Sequence, residues 1–214
     1  MQETISKKED IVLEVVQEYL DMNRVLDMEN VVDFIKHRFS RKSININNKG
    51  IKKILKNLIE NKYIIPGSKL IKYEILQNPN RREIYDVIKA NPGIYFNKLL
   101  KRVKLANHVV AWHINILLKF ECILKEKIDN HEVYYHPKIS PAEAKRSHYL
   151  SKAKSREIIE YCKNTDYKPI TKTHLSKALN THYNTISKYV DILESLGVLV
   201  KIEMDNKTVY EIIA

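Results

Sequence analysis

Residues 109–120 read VVAWHINILLKF. Val110, Ile114 and Leu117 stand at i, i+4 and i+7, which places them on one face of an α-helix. Trp112 and His113 sit side by side inside that run. Ile123 follows within an extended stretch, Cys122 to Lys127, then the turn pair Asp129-Asn130, then a second apolar run from Val133 to Tyr135. The expected order is helix, strand, tight turn, strand.

The same pattern returns 76 residues later, where Ile186, Val190, Leu193 and Leu199 keep the spacing of Val110, Ile114, Leu117 and Ile123. Asp205-Asn206 stands for Asp129-Asn130, and Val209 and Tyr210 stand for Val133 and Tyr134. Upstream, Ile94, Leu99 and Val103 align without a gap on Ile170, Leu175 and Leu179. A single offset that matches so many positions marks an internal repeat, which outranks any single motif. A weaker third copy carries Ile51, Leu55, Leu58 and Ile64, with short strands expected near 63–66 and 70–75 around Gly67-Ser68.

Two helices are expected ahead of each anchored helix. They cover about 8–22 and 28–39 in the first copy, with Asp27 as a cap, and 81–90 and 95–104 in the second, split by Asn91-Pro92-Gly93. In the last copy they cover about 155–164 and 171–180, with Thr171 as a cap. Three helices and a two-stranded hairpin make a winged helix, and its second and third helices make a helix-turn-helix. The predicted fold is mainly α with small β-hairpins, as tandem winged-helix domains. Their boundaries are 1–76 (divergent), 77–137, and 138–214, the last beginning with a linker that reads as one long helix from Ser140-Pro141 into the third unit.

The totals narrow the class. The 214 residues suit two or three small domains, and only 4 Gly and 6 Pro imply few turns. No window approaches the roughly 18 uninterrupted apolar residues of a membrane span. The opening MQETISKKED has no apolar core, so no secretory signal is expected. Two distant cysteines, Cys122 and Cys162, suit a reducing cytoplasm and give no zinc pattern. A net charge of +11 favours a polyanionic partner, although an excess of Lys, Ile and Asn is also what an AT-rich genome produces.

The stretch NPGIYFNKLLKRVKLANHVVAWHINILLKFECI, residues 91–123, resembles the winged helix-turn-helix regulators of archaea and bacteria, the ArsR/MarR-like group. That family's third helix carries Val, then His-Leu, then Leu, then Gly before an apolar strand. Val110, His113-Ile114 and Leu117 fit, with Glu121 in place of the Gly; Ile186, Tyr189-Val190, Leu193 and Gly197 fit better. The first copy lacks the aromatic position and has an Asn-rich loop, 43–48. The resemblance implies a fold, and several functions share it.

If the partner is double-stranded DNA, the third helix of each unit enters the major groove with its N-terminal half. In the middle unit the candidate readers are Asn107, His108, Ala111, Trp112 and Asn115, with Lys98, Lys101, Arg102 and Lys104 on phosphates. In the last unit they are Tyr183, Asn184, Thr185, Ser187 and Lys188. In the first, Lys49, Lys52, Lys53 and Lys56 form a phosphate-binding face or a merely solvated one. Trp112 points away from the core, toward a groove or toward a protein neighbour, whereas His113 packs at the edge of the core. The hairpin tips, Asp129-Asn130-His131 and Asp205-Asn206-Lys207, lack the arginine of a minor-groove probe.

Eight histidines are scattered without a CxC or HxxxH pair, and no glycine-rich phosphate loop or catalytic constellation occurs. Neither metal, cofactor nor enzyme activity is expected. Two functions fit. One is a DNA-binding transcriptional regulator, cytoplasmic and nucleoid-associated. The other is a protein-interaction scaffold, as tandem winged helices form in ESCRT, chromosome-segregation and polymerase-associated complexes. For the second speak the nearly uncharged, Trp-bearing helix of the middle unit and the acidic Asp191 and Glu194 of the last. Ile11, Val15, Val16 and Tyr19 on the first helix offer a homodimer face, and membrane insertion is not expected.

Overall fold

The computed structural model describes residues 5–165, 170–204 and 207–213. The chain forms two compact units. One holds the residues up to Ala90 together with 97–124; the other holds 91–96 together with 125 onward. The fold is mainly helical with small antiparallel sheets.

The first unit opens with α1 (Lys7–Met22), α2 (Met28–Arg41) and α3 (Asn48–Glu60). Each start is fixed by a side chain that satisfies orphan amides. The Ser6 hydroxyl accepts from Glu9 N while the Glu9 carboxylate accepts from Ser6 N at 2.8 Å. Asp27 accepts from Glu29 N and Asn30 N, and Asn47 from Gly50 N. The buried face joins Val12, Val16 and Tyr19 to Ile35, Phe39, Ile51, Leu55 and Leu58. Each such side chain, fully buried, contributes about 1.5–3 kcal/mol. Val15 is 1 % exposed and Val16 is not exposed at all. The apolar face expected to make a homodimer is therefore spent on this unit's own core, against α2 and α3.

The hairpin expected at 63–75 does not form. Residues 61–71 are turns and coil, and Lys72–Gln77 is a 3-10 helix. Pro66-Gly67 is a tight break in too short a segment, and of residues 61–71 only Ile64 and Ile71 are buried. One cross-link remains, Lys72 N to Tyr63 O at 2.9 Å, while Leu26 pairs with Gly67 and Ser68 in place of a second strand. The 3-10 helix begins where the Glu74 carboxylate accepts from Ile71 N at 3.2 Å. The unit is completed by α4 (Pro79–Ala90), α5 (Phe96–Leu100) and α6 (Asn107–Lys119), with α4 packed on α6. The expected helix at 95–104 is shorter than its pattern, because Ile94-Tyr95 is extended and 101–104 turns.

The second unit has a three-stranded sheet, β1 (Ile94–Tyr95), β3 (His131–Tyr135) and β2 (Leu124–Ile128), in that spatial order. Then come α7 (Pro141–Leu150), α8 (Ala153–Asn164), α9 (Lys172–Ala178) and α10 (Tyr183–Ser195). The hairpin β4 (Leu199–Met204) and β5 (Lys207–Ile212) closes the chain, with Leu199 opposite Ile212. Helix α10 packs on α8, α9 and β4, and Tyr210 N donates to Ile170 O at 2.8 Å. The single long helix expected from Ser140 is broken. Ser151 Oγ donates to His148 O at 2.7 Å, in competition with the helical ladder, and Lys152 turns extended with ψ 139°.

Helices α3, α6 and α10 share one device at their C-terminal ends. Tyr63 N, Cys122 N and Val198 N donate to the carbonyls of Leu58, Leu117 and Leu193 at 2.8, 2.8 and 2.9 Å. Lys62, Glu121 and Gly197 occupy the left-handed position between, at φ 58°, 52° and 64°. These are Schellman turns, which satisfy the last carbonyls of a helix and swing the chain into its next segment.

Candidate nucleic-acid interface

Helix α10 buries Ile186, Val190 and Leu193 and leaves Tyr183 (47 % exposed), Asn184 and Lys188 in solvent, with Thr185 and Ser187 half-buried. His182 Nδ1 accepts from Asn184 N at 3.3 Å and holds the first turn. Thr171 caps α9 by accepting from His174 N at 3.1 Å. Beside these two starts lies a cavity of about 690 Å³. Its walls are polar and cationic, with Lys172 and Tyr183 on the helices and Lys201, Lys207 and Thr208 on the hairpin.

Asp191, one of the two acidic residues that speak for a scaffold, is paired with a lysine. Lys172 Nζ forms an ion pair with it and donates to Ser187 Oγ at 3.1 Å. Burial disfavours the Lys172 ammonium, but Asp191 and Tyr210 together outweigh that and raise its pKa. Ser187 is thus already engaged in this network. Sequence reasoning passes over Lys172 and Lys201, and meets Lys207 only as part of a hairpin tip without an arginine. The two hairpin lysines do fall near Tyr210 and Met204 in the strand register, Lys201 opposite Tyr210 and Lys207 opposite Met204. Of the hairpin tip at 205–207, Asp205 and Asn206 lie outside the described residues.

The β2–β3 tip is packed on its own unit. Asp129 lies at φ 51° in the turn, beside Lys188 and the Tyr149 hydroxyl. Ile128, Val133 and Tyr149 cluster with Ile192 and Leu196 of α10, and His131 stacks on Tyr95 at 4.4 Å.

In the first unit, α6 turns Asn107, His108, Trp112 and Asn115 outward and buries Val110, His113, Ile114 and Leu117, with Ala111 between the two faces. Lys101, Arg102 and Lys104 are exposed and Lys98 is half-buried. His113, 3 % exposed, meets Arg81, a buried cation. Arg81 Nη1 donates to Ile75 O at 2.9 Å and Arg81 Nε to His113 Nδ1 at 3.5 Å. Burial, then the Arg81 charge, push the His113 pKa down, so its ring is neutral at pH 7.

The four lysines of α3 are all exposed but do not act as one face. Lys52 and Lys56 edge a groove of about 630 Å³ between α2 and α3, floored by Val32, Leu55 and Ile59. Carboxylates share that edge, since Lys56 is 3.7 Å from Glu60 and Lys36 is 2.7 Å from Asp33. No helix among the described residues is long and apolar enough to cross a membrane.

Residues 78–146 match the model of a family described as an N-terminal HTH (helix-turn-helix) domain. This stretch runs from the start of α4 into α7. An uncharacterized HTH-type transcriptional regulator of Methanocaldococcus jannaschii is 30% identical over 139 residues, 65% of this chain and 34% of the relative. The chain spans about a third of that relative's length.

Proposed function

We propose that this chain is a DNA-binding transcriptional regulator of the winged helix-turn-helix type, close to the ArsR/MarR-like group, with winged-helix segments at 77–137 and 138–214 and a divergent three-helix segment at 1–76 in which a 3-10 helix stands in place of the wing. The last segment is the sequence reader. The observation that carries this reading is the juxtaposition on α9, α10 and β4–β5. Tyr183, Asn184 and Thr185 open the second helix of a helix-turn-helix beside a cavity lined by Lys172, Lys201 and Lys207. Short polar side chains at the start of such a helix suit base edges, and the lysines around it suit phosphates, Lys207 most of all, since Asp191 and Glu203 adjoin Lys172 and Lys201. The similarity of residues 78–146 to an HTH domain, and of the chain to an HTH-type regulator, supports the same reading.

In this reading α6 carries a second nucleic-acid surface of its own, made of Asn107, His108 and Asn115, with Lys98, Lys101, Arg102 and Lys104 on phosphates. Lys188 and Ser187 border the α10 surface. Lys49 and Lys53 contribute a phosphate contact from α3, and Lys52 and Lys56 contribute less because carboxylates adjoin them.

The test is binding of the full chain to a fluorescent duplex across salt. Each phosphate contact adds about −0.9 to the slope of log K against log salt. Lys201→Ala with Lys207→Ala is expected to weaken all sequences alike and flatten that slope. Asn184→Ala with Thr185→Ala is expected to leave the slope and erase sequence preference. Absence of binding at low salt would refute the reading and leave the protein scaffold in its place.

A further inference from the structure

Trp112 is 56 % exposed and is the chain's single tryptophan. Its ring is nevertheless held. The guanidinium carbon of Arg81 lies 5.8 Å from its centroid, and the His113 ring meets it edge-on at 4.8 Å. Arg81 is itself anchored below the surface, 3 % exposed and bonded to Ile75 O. The result is a large flat aromatic face, fixed from beneath and open above, flanked on α6 by His108 and Asn115.

Such a face is ill suited to reading a duplex. Paired bases offer only their edges to the major groove, and an indole has one N–H donor and no acceptor with which to read them. Its stacking surface matches the face of an unpaired base. The charge along α6 and the turn that leads into it has the matching sign. From Asn97 to Lys119 the sequence has five Lys or Arg and no Asp or Glu, and Lys101 and Lys104 are exposed in the turn that leads into α6. An aromatic platform beside lysines that track a backbone is how proteins hold single strands.

We propose that α6 binds single-stranded DNA, with an unpaired base stacked on Trp112 and the adjoining phosphates on Lys101 and Lys104. This deepens the nucleic-acid reading above and rests on it: the chain engages duplex through α10 and an opened strand through α6.

The experiment uses the full chain and follows Trp112 emission together with anisotropy of the labelled oligonucleotide. Three probes of about 12 nucleotides are compared: oligo(dT), an abasic deoxyribose-phosphate oligomer of equal charge, and a mixed-sequence duplex. Oligo(dT) is expected to quench Trp112 and to bind about tenfold or more tighter than the abasic oligomer. Trp112→Ala is expected to lower oligo(dT) affinity about 5- to 100-fold, with Trp112→Phe between the two and duplex affinity changed less than about twofold. Equal affinity for oligo(dT) and the abasic oligomer, or equal affinity of wild type and Trp112→Ala for oligo(dT), would overturn the stacking site; if duplex still binds, the regulator reading survives it. Binding of none of the three would sink both. Emission unmoved by DNA but shifted by self-association would make Trp112 a contact between copies, which also overturns the proposal.

Discussion

Asp129 Oδ2 lies 3.8 Å from Lys188 Nζ, so the tip of the β2–β3 hairpin rests against the flank of α10. The same carboxylate accepts the Tyr149 hydroxyl. Both charged side chains are largely open to water, so the ion pair itself is worth little. Tyr149, 5 % exposed, feels the arrangement most. Burial, then the bond to Asp129 and its charge, push the phenol up to about 12. A raised phenol pKa means that its stabilising contribution is complete below the ordinary value near 10 and is lost as pH climbs through 10 toward 12. The difference in alkaline absorbance between wild type and Tyr149→Phe should report a titration near 12. Asp129→Asn should bring it down without reaching 10, because burial remains. A difference titration centred at 10 in wild type would remove the contact.

The left-handed turns invite substitution. Glu121 and Lys62 hold a conformation that costs a residue with a Cβ roughly 1 kcal/mol, whereas Gly197 holds it freely. Glu121→Gly and Lys62→Gly should each stabilise the chain by about 0.5–1 kcal/mol in denaturant unfolding. Gly197→Ala should cost about 1 kcal/mol, and since a Cβ there meets nothing within 4 Å the loss is conformational.

Gly93 behaves differently. At φ 78° it lies so close to α7 that a Cβ would stand 2.3 Å from Ala144 O and 2.9 Å from His148 N. Its carbonyl is bonded to His148 Nδ1 at 2.8 Å. Gly93→Ala must displace backbone and should destabilise by on the order of 3 kcal/mol or more, or prevent folding. A loss no larger than that of Gly197→Ala, measured by thermal unfolding, would contradict this packing.

His113 gives the acid side of the pH profile. Its folded pKa is depressed by burial and by Arg81, so its stabilising contribution is present above the unfolded value near 6.5 and fades as pH falls through the folded one. Thermal midpoints at pH 7.5 and 5.5 should differ more for wild type than for His113→Gln. An equal drop in both proteins would place the acid sensitivity elsewhere.

Much of this architecture is legible in spacing. The anchors Ile51, Val110, Ile186 and their partners are all buried, and Asp27 and Thr171 cap the helices they precede. These succeed because apolar period and capping are local. The hairpin expected at 63–75 rests on analogy with the other copies, against the local signal of Pro66-Gly67. The break at Ser151 is hidden in the sequence because Ser and Lys are tolerated inside helices, and only the bond to His148 O decides the matter. In the candidate interface the outward turn of Trp112 and of Asn184 follows from helical geometry. The buried Arg81 beneath Trp112 does not, since a charged residue 31 positions away gives no sign of packing there. Nor does the pairing of Lys172 with Asp191, which depends on how α9 meets α10.

The three Schellman turns bear on how such a chain tolerates change in length. Each turn is made by backbone amides and carbonyls, so side chains within it can drift while its residue count cannot. One extra residue between Leu117 and Ile123 would carry the isoleucine off its seat and every strand position behind it to the opposite face. Insertions and deletions are then pushed upstream, into the connections at 42–47, 101–106 and 179–182 that lead into α3, α6 and α10. The beginning of each third helix is thus the elastic end of the unit, and its stop is the fixed datum from which the rest is measured.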